Sequence, residues 1–210
     1  MPLPTFGPVD PYSGRPRPAS LAGSLLVATP RLVDPNFARR VVLVLDHGDQ
    51  GALGVVLDRP GGVDVADVLP RWAPVVTPPR QFFVGGPVAR NAVIGLLRLR
   101  PTPPGSGVSG RPDGWRQVVP GDRPVGTVDL DGDPSAFAGC VAGARLFAGY
   151  AGWAGGQLED EVDEGSWFVL PALERDPVSA DPEGLWRRVL RREGGSLALA
   201  AAFPEDPTRN

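Results

Sequence analysis

Apolar residues in this chain come in short dense runs, and glycine, proline and aspartate cut the runs apart. Ser24-Leu25-Leu26-Val27-Ala28 is the first, and it stops at Thr29-Pro30 as a buried strand should. Asp34-Pro35-Asn36-Phe37 follows as a turn or single helical turn, with Asp34 placed to cap it and Pro35 at the first helical position. Arg40-Val41-Val42-Leu43-Val44-Leu45 is continuous and β-branched rather than alternating, the pattern of a strand covered on both faces. The turn formers Asp46 to Gly51 then lead into the apolar run Ala52 to Leu57, which predicts a β-hairpin. A short helix is expected from about Asp64 to Leu69, and strands at Gln81 to Val84 and Val93 to Leu99.

The pattern lapses from Pro101 to Gly114, where Pro, Gly and Ser leave hardly an apolar anchor, and a long mobile loop is expected. Val125 to Leu130 reads as a strand, and Asp133-Pro134 opens a predicted helix running to about Gly143. Arg145 to Tyr150 is a strand entering a glycine cluster, Gly149 to Gly156. Gln157 to Glu164 reads as an acidic helix with Leu158 and Val162 packing inward at i,i+4, and Ser166 to Leu170 as a strand. A last amphipathic helix, Pro182 to Glu193, sets Leu185, Trp186, Val189 and Leu190 against Arg187, Arg188, Arg191 and Arg192. Hairpin and helix-separated connections both occur, so the fold class expected is α+β in one domain over residues 23–210, behind a Pro-rich arm over 1–22.

Composition narrows the chemistry. The 28 Gly and 26 Pro approach low-complexity levels, but 42% hydrophobic residues in a chain of 210 support a folded, loop-rich domain. All 21 basic residues are Arg, so a phosphate-binding loop ending in Gly-Lys-Ser/Thr, a Schiff-base lysine and a lysine general base are excluded. Gly, Ala, Pro and Arg are raised together while Ile and Met nearly vanish, which reads as the nucleotide bias of a GC-rich genome. With Cys140 the lone cysteine and His47 the lone histidine, one chain cannot build a thiolate-imidazole zinc site or an internal disulfide, which fits a reducing compartment. Met1 to Ser20 lacks the basic start and apolar stretch of a secretory signal, and Leu21 to Ala28 is too short to span a bilayer. A net charge of -3 does not point to nucleic acid or anionic lipid. A cytoplasmic protein without membrane contact is expected.

Gly105-Ser106-Gly107-Val108-Ser109-Gly110 matches the dinucleotide fingerprint letter for letter, but no strand precedes it and Arg111-Pro112 follows instead of a helix, so a loop is read. Asp129, Asp131 and Asp133 resemble a calcium loop, yet Gly132 comes too early and position twelve would be Cys140, so a helix cap and turn is read, with magnesium on one or two carboxylates as the alternative. Cys140 is expected as a small buried hydrophobe of the helix. His47, between Asp46 and Asp49 in the expected turn, is the general acid-base candidate, and it supports a hydrolase or transferase reading. Gly85 and Gly86, with Gly149, Tyr150, Gly152 and Trp153, form two glycine-aromatic loops that could bring backbone amides and a ring face to a ligand. Arg187, Arg188, Arg191 and Arg192 are the nucleic-acid candidates, diluted by Asp176, Asp181, Glu183 and Glu193.

Several blocks together carry a family resemblance. They are Gly23-Ser24-Leu25-Leu26-Val27-Ala28 with Asp34-Pro35 and Phe37, Gly51 to Leu57 with Arg59-Pro60, Phe83-Val84-Gly85-Gly86-Pro87-Val88, and Gly149-Tyr150-Ala151-Gly152-Trp153 continuing to Trp167. Trp186, Val189-Leu190 and Pro204-Glu205-Asp206-Pro207 complete the set, and the chain resembles the AlgH/YqgE family of bacterial proteins over about Gly23 to Asn210. The resemblance implies an α+β fold whose mixed sheet curls into a partial barrel flanked by helices. It implies a regulatory role, with transcription as one reading, and supplies no catalytic residue. The family usually has Asn where this chain has Asp58, so a hydrogen bond made there must differ. The reading is a non-catalytic binding or regulatory module that needs no cofactor or metal and takes an unidentified small molecule or protein partner. Hydrolase or transferase chemistry at His47 is the alternative.

Overall fold

Strand pairing sorts the uninterrupted apolar runs into two layers at once. In the computed structural model, which describes residues 19–101, 112–137 and 139–203, the chain runs β1 (Ser24–Ala28), β2 (Val41–Gly48), β3 (Gly51–Val56), β4 (Pro60–Asp64), α1 (Val65–Val68), β5 (Gln81–Val84), β6 (Val88–Leu99), β7 (Trp115–Val119), β8 (Val125–Val128), β9 (Val141–Ala154), α2 (Gln157–Asp163), β10 (Trp167–Pro171), α3 (Leu185–Glu193) and α4 (Gly195–Ala200). Leu25 and Val27, Val41 and Leu43, Val55 and Leu57 turn inward to a core shared with Phe83, Phe147 and the apolar faces of α3 and α4. Their neighbours Leu26, Ala28, Val42, Val44 and Val56 turn outward to a second layer with Leu158 and Val162 of α2. Both faces are covered, which is why these strands are written as continuous runs.

The strands form one curled sheet of mostly antiparallel strands in the order β10-β1-β2-β3-β9-β6-β8-β7, with β5 parallel to β9 and β4 paired to β5. The two ends of that order approach each other. Gly23, just before β1, faces the carbonyl of Val118 in β7, where a Cβ would lie 2.6 Å from the oxygen. Beyond them Glu174, which follows β10, accepts the Arg123 N–H at 2.9 Å. The result is a half-barrel with a seam.

Three expectations are corrected. The turn expected over Asp46 to Gly51 is strand at both ends: Gly48 pairs with Gly51, leaving Asp49-Gln50 as the turn, with a bulge between Val44 and Asp46. The helix expected from Asp133 to Gly143 shrinks to one 3-10 turn, Pro134–Phe137. Asp133 does cap, accepting the Ser135 N–H at 2.9 Å, but Gly139 is left-handed (φ +81°) and Val141 is drawn into β9 opposite Leu99. Cys140 therefore sits half-buried in a turn, its thiol donating to the Phe137 carbonyl. Finally, the glycine cluster is no loop: β9 runs through Gly149-Tyr150-Ala151-Gly152-Trp153 as strand. The glycine motif at 105–110, the arm through residue 18 and the closing residues 204–210 lie outside the described residues. Among the described residues no helix is long and apolar enough to cross a membrane.

Candidate functional site

The two glycine-rich blocks meet, backbone on backbone. The Gly85 N–H donates to the Ala148 carbonyl at 2.8 Å, and the Gly85 carbonyl accepts from Val56 at 2.9 Å. A Cβ at Gly86 would strike the Tyr150 carbonyl, and one at Gly149 would lie 2.8 Å from the carbonyls of Gly86 and Val88. Glycine here permits β5 to cross tightly onto β9. The amides of Gly85, Gly86 and Gly149 are buried against neighbouring chain, while Gly152 is exposed.

Trp153 belongs to an aromatic corner. It stacks on Phe37 with ring centroids 6.3 Å apart and meets Trp167 edge-on at 6.2 Å. The Glu161 Oε2 accepts from both indoles, at 3.0 Å from Trp153 and 2.8 Å from Trp167, and its Oε1 accepts from Gln157 one helical turn back at 2.9 Å. One carboxylate thus satisfies two indole donors that would otherwise be buried without partners.

His47 lies at the end of β2, its side chain only 5% exposed. Its backbone N–H donates to Asp46 Oδ1 at 3.0 Å, but the carboxylate beside its ring is Glu159 of α2, with Nε2 2.9 Å from Oε1. Nδ1 accepts the Leu21 N–H at 3.1 Å. That contact requires a lone pair on Nδ1 and leaves the ring proton on Nε2, facing Glu159. Nδ1 pins the buried Leu21 to the end of β2, while Nε2 lies at ion-pair distance from Glu159 near the start of α2 without a well-aligned hydrogen bond to it. Asp49 is exposed in the turn.

The basic helix face divides. Arg192 reaches Asp176, which is 2% exposed, at 2.7 Å to both carboxylate oxygens, and also donates to the Pro171 carbonyl. Arg188 donates to Asp181 at 2.9 Å and to the Ser179 hydroxyl. Arg187 is half-buried and Arg191 exposed. A third arginine holds the same 171–181 segment from inside: Arg145 of β9, fully buried, lies over the Phe83 ring and donates to the carbonyls of Pro78 and Ser179. Among the described residues no carboxylate meets it and its Nε and Nη1 have no partner, and burial pulls its guanidinium down to about 10.

The segment so fixed forms one wall of a groove of about 480 Å³ at the seam. Arg98 comes from β6, Pro120 and Arg123 from the β7–β8 turn, and Ala172, Leu173, Glu174 and Arg175 from the chain after β10. Arg98 Nε is buried without a hydrogen-bond partner. Burial and the neighbouring Arg123 both pull its guanidinium below the usual value, opposed by Glu174. Glu174 is the one carboxylate among the three arginines, and its Oε1 is already taken by the Arg123 backbone. Arg175 also borders a second cavity of about 300 Å³ with Ser179, Asp181 and Arg188.

A family model described as AlgH-like, a domain of unknown function, matches residues 25–198. The chain belongs to the AlgH-like family. A UPF0301 protein of Streptomyces avermitilis is 48% identical over 94% of this chain and all of its own length, and one of Thermobifida fusca is 49% identical over 91% and 96%. Among solved structures, protein DIP2367 of Corynebacterium diphtheriae aligns with a TM-score of 0.78 and 36% identity over 89% of this chain and 93% of its own. The AlgH protein of Pseudomonas aeruginosa aligns at 0.60 and 29%, over 90% and 97%. The family and the curled partial barrel expected from the sequence are those found.

In this AlgH-like chain the glycine and aromatic candidates converge on β9, while His47 joins Glu159 rather than a pair of aspartates. The seam arginines 98, 123 and 175 were not singled out in the sequence. They stand far apart along the chain and, in a protein whose basic residues are all Arg, carry no local mark.

Proposed function

We propose that this AlgH-like protein is a non-catalytic binding module whose ligand is a small anion held at the seam. One observation carries the reading: three arginines and a single glutamate line a groove of small-molecule size, and none of the three arginines has a carboxylate at ion-pair distance among the described residues. Holding like charges together costs Coulomb energy that an arriving anion would offset. Any regulatory role, in transcription or elsewhere, would act through occupancy of this groove. A hydrolase or transferase mechanism at His47 has less support, because Nδ1 is taken by an amide and Nε2 faces Glu159, leaving no lone pair to receive a substrate proton.

Thermal unfolding of the full chain against anionic, neutral and cationic metabolites tests this. At a hundredfold over its Kd an anion should stabilise by about 2.7 kcal/mol, raising Tm by about 5–11 °C. The shift should vanish in Arg98→Gln and persist in Trp153→Ala. The opposite outcome would move the site to the aromatic corner, and no shift with any anion would overturn the reading.

A further inference from the structure

We infer that the groove accepts a phosphomonoester: a terminal phosphate among Arg98, Arg123 and Arg175, with the esterified body passing Arg175 toward Ser179 and Asp181. The inference rests on the anion-binding reading above and names its ligand class. Three arginines and Glu174 leave the groove a formal charge of +2, matched by a phosphomonoester, which carries about -1.5 to -2 at neutral pH. A carboxylate or a sulfate monoester brings only one negative charge. Guanidinium is planar and offers parallel N–H donors suited to two phosphate oxygens at once, and Arg98 has a buried Nε with its hydrogen-bonding capacity unused.

The walls support an ester over the free ion. Groove and second cavity, about 480 and 300 Å³, share Arg175 as their border, far more room than one phosphate fills. Ala172, Leu173 and Pro120 supply apolar contact beside the charged groups. Past Arg175 the Ser179 hydroxyl is taken up by Asp181 and Arg188, but Asp181 is largely exposed and each of its carboxylate oxygens accepts a single hydrogen bond, from Gly184 and Arg188, so ligand hydroxyls would find an acceptor there. The scaffold is also rigid: Arg145, Arg188 and Arg192 fasten the 171–181 segment that presents Arg175. Preorganised donors cost less to order when a ligand arrives.

Isothermal titration of the full chain at low salt with inorganic phosphate, phenyl phosphate, phenyl sulfate and citrate decides it. Phenyl phosphate should bind at least tenfold more tightly than phenyl sulfate, which shares its body and carries half its charge, and more tightly than inorganic phosphate. Arg98→Gln should weaken phenyl phosphate at least tenfold. Glu174→Gln keeps the acceptor for the Arg123 N–H but removes the negative charge, so it should tighten binding several-fold, a gain that a poorly folded variant could not produce. Equal affinity for the phosphate and sulfate esters, or no gain in Glu174→Gln, overturns the assignment. Citrate binding more tightly than phenyl phosphate overturns it while leaving the anion-binding reading intact. No binding by any of the four overturns both.

Discussion

Asp58 follows β3 and is 1% exposed, and its two carboxylate oxygens are unequally served. Oδ1 accepts the Val41 N–H at 3.3 Å, while Oδ2 has no hydrogen-bond partner. Burial pushes this carboxyl up to about 7, against the opposing pull of Arg40 and the Val41 amide. The folded protein therefore holds the Asp58 proton more tightly than the unfolded chain does. Its stability contribution is fully present below the unfolded value of 3.8 and is lost as pH rises to about 7. A rise of about 3 pH units corresponds to about 4 kcal/mol withheld from the folded state above pH 7. Asp58→Asn keeps the acceptor for Val41 and can never ionise. The variant should match the parent near pH 4, gain steadily to pH 7 and hold a constant advantage above it, at most about 8–16 °C in Tm. Thermal melts by circular dichroism from pH 4 to 8.5 at fixed ionic strength read this directly. An advantage independent of pH, or an Asn variant less stable than the parent at pH 8, would refute the reasoning.

Two further perturbations follow from the site geometry. Gly86→Ala places a methyl on the Tyr150 backbone and should cost about 1–3 kcal/mol in urea unfolding, whereas Gly48→Ala, which meets nothing within 4 Å, should cost well under that; equal losses would remove the close-approach explanation. Glu161→Leu removes the acceptor that both indole donors share, so at least about 1–3 kcal/mol should be lost with a change in Trp emission, and an unchanged denaturation midpoint would show that the carboxylate does not hold both rings.

What could be read in advance depended on whether local sequence and tertiary packing pointed the same way. Leu25 to Ala28 and Val41 to Leu45 were legible because burial on two faces writes a continuous apolar run. Leu158 and Val162 marked α2 by spacing alone. By contrast β4, Pro60–Asp64, holds a proline and two glycines and exists only because Pro60 and Asp64 pair with Phe83 and Gln81 of β5. The stretch from Gly149 to Gly152 reads as a loop for the same reason: its glycines respond to chain neighbours distant in sequence. His47 stands out in the sequence as the lone imidazole, but the carboxylate beside it comes from a helix more than a hundred residues on, and nothing near position 47 encodes that.

The seam explains why the groove lies where it does. In a closed barrel the first and last strands would bond to each other and satisfy their own edges. Here the ends meet through side chains instead: Glu174 reaches across to the Arg123 amide, and Gly121 lacks a side chain where one would collide with Glu174. A carboxylate used as a bridge draws arginines around it, yet a single negative charge cannot balance Arg98, Arg123 and Arg175 together. An anion seated there would touch β6, the β7–β8 turn and the chain after β10 at once, joining the two ends of the sheet. Its binding energy would then appear as resistance of the seam to opening. Hydrogen exchange should accordingly slow at Val119 to Val125 and at Ala172 to Arg175 when phenyl phosphate is added, and protection confined to other elements would show that the anion sits elsewhere.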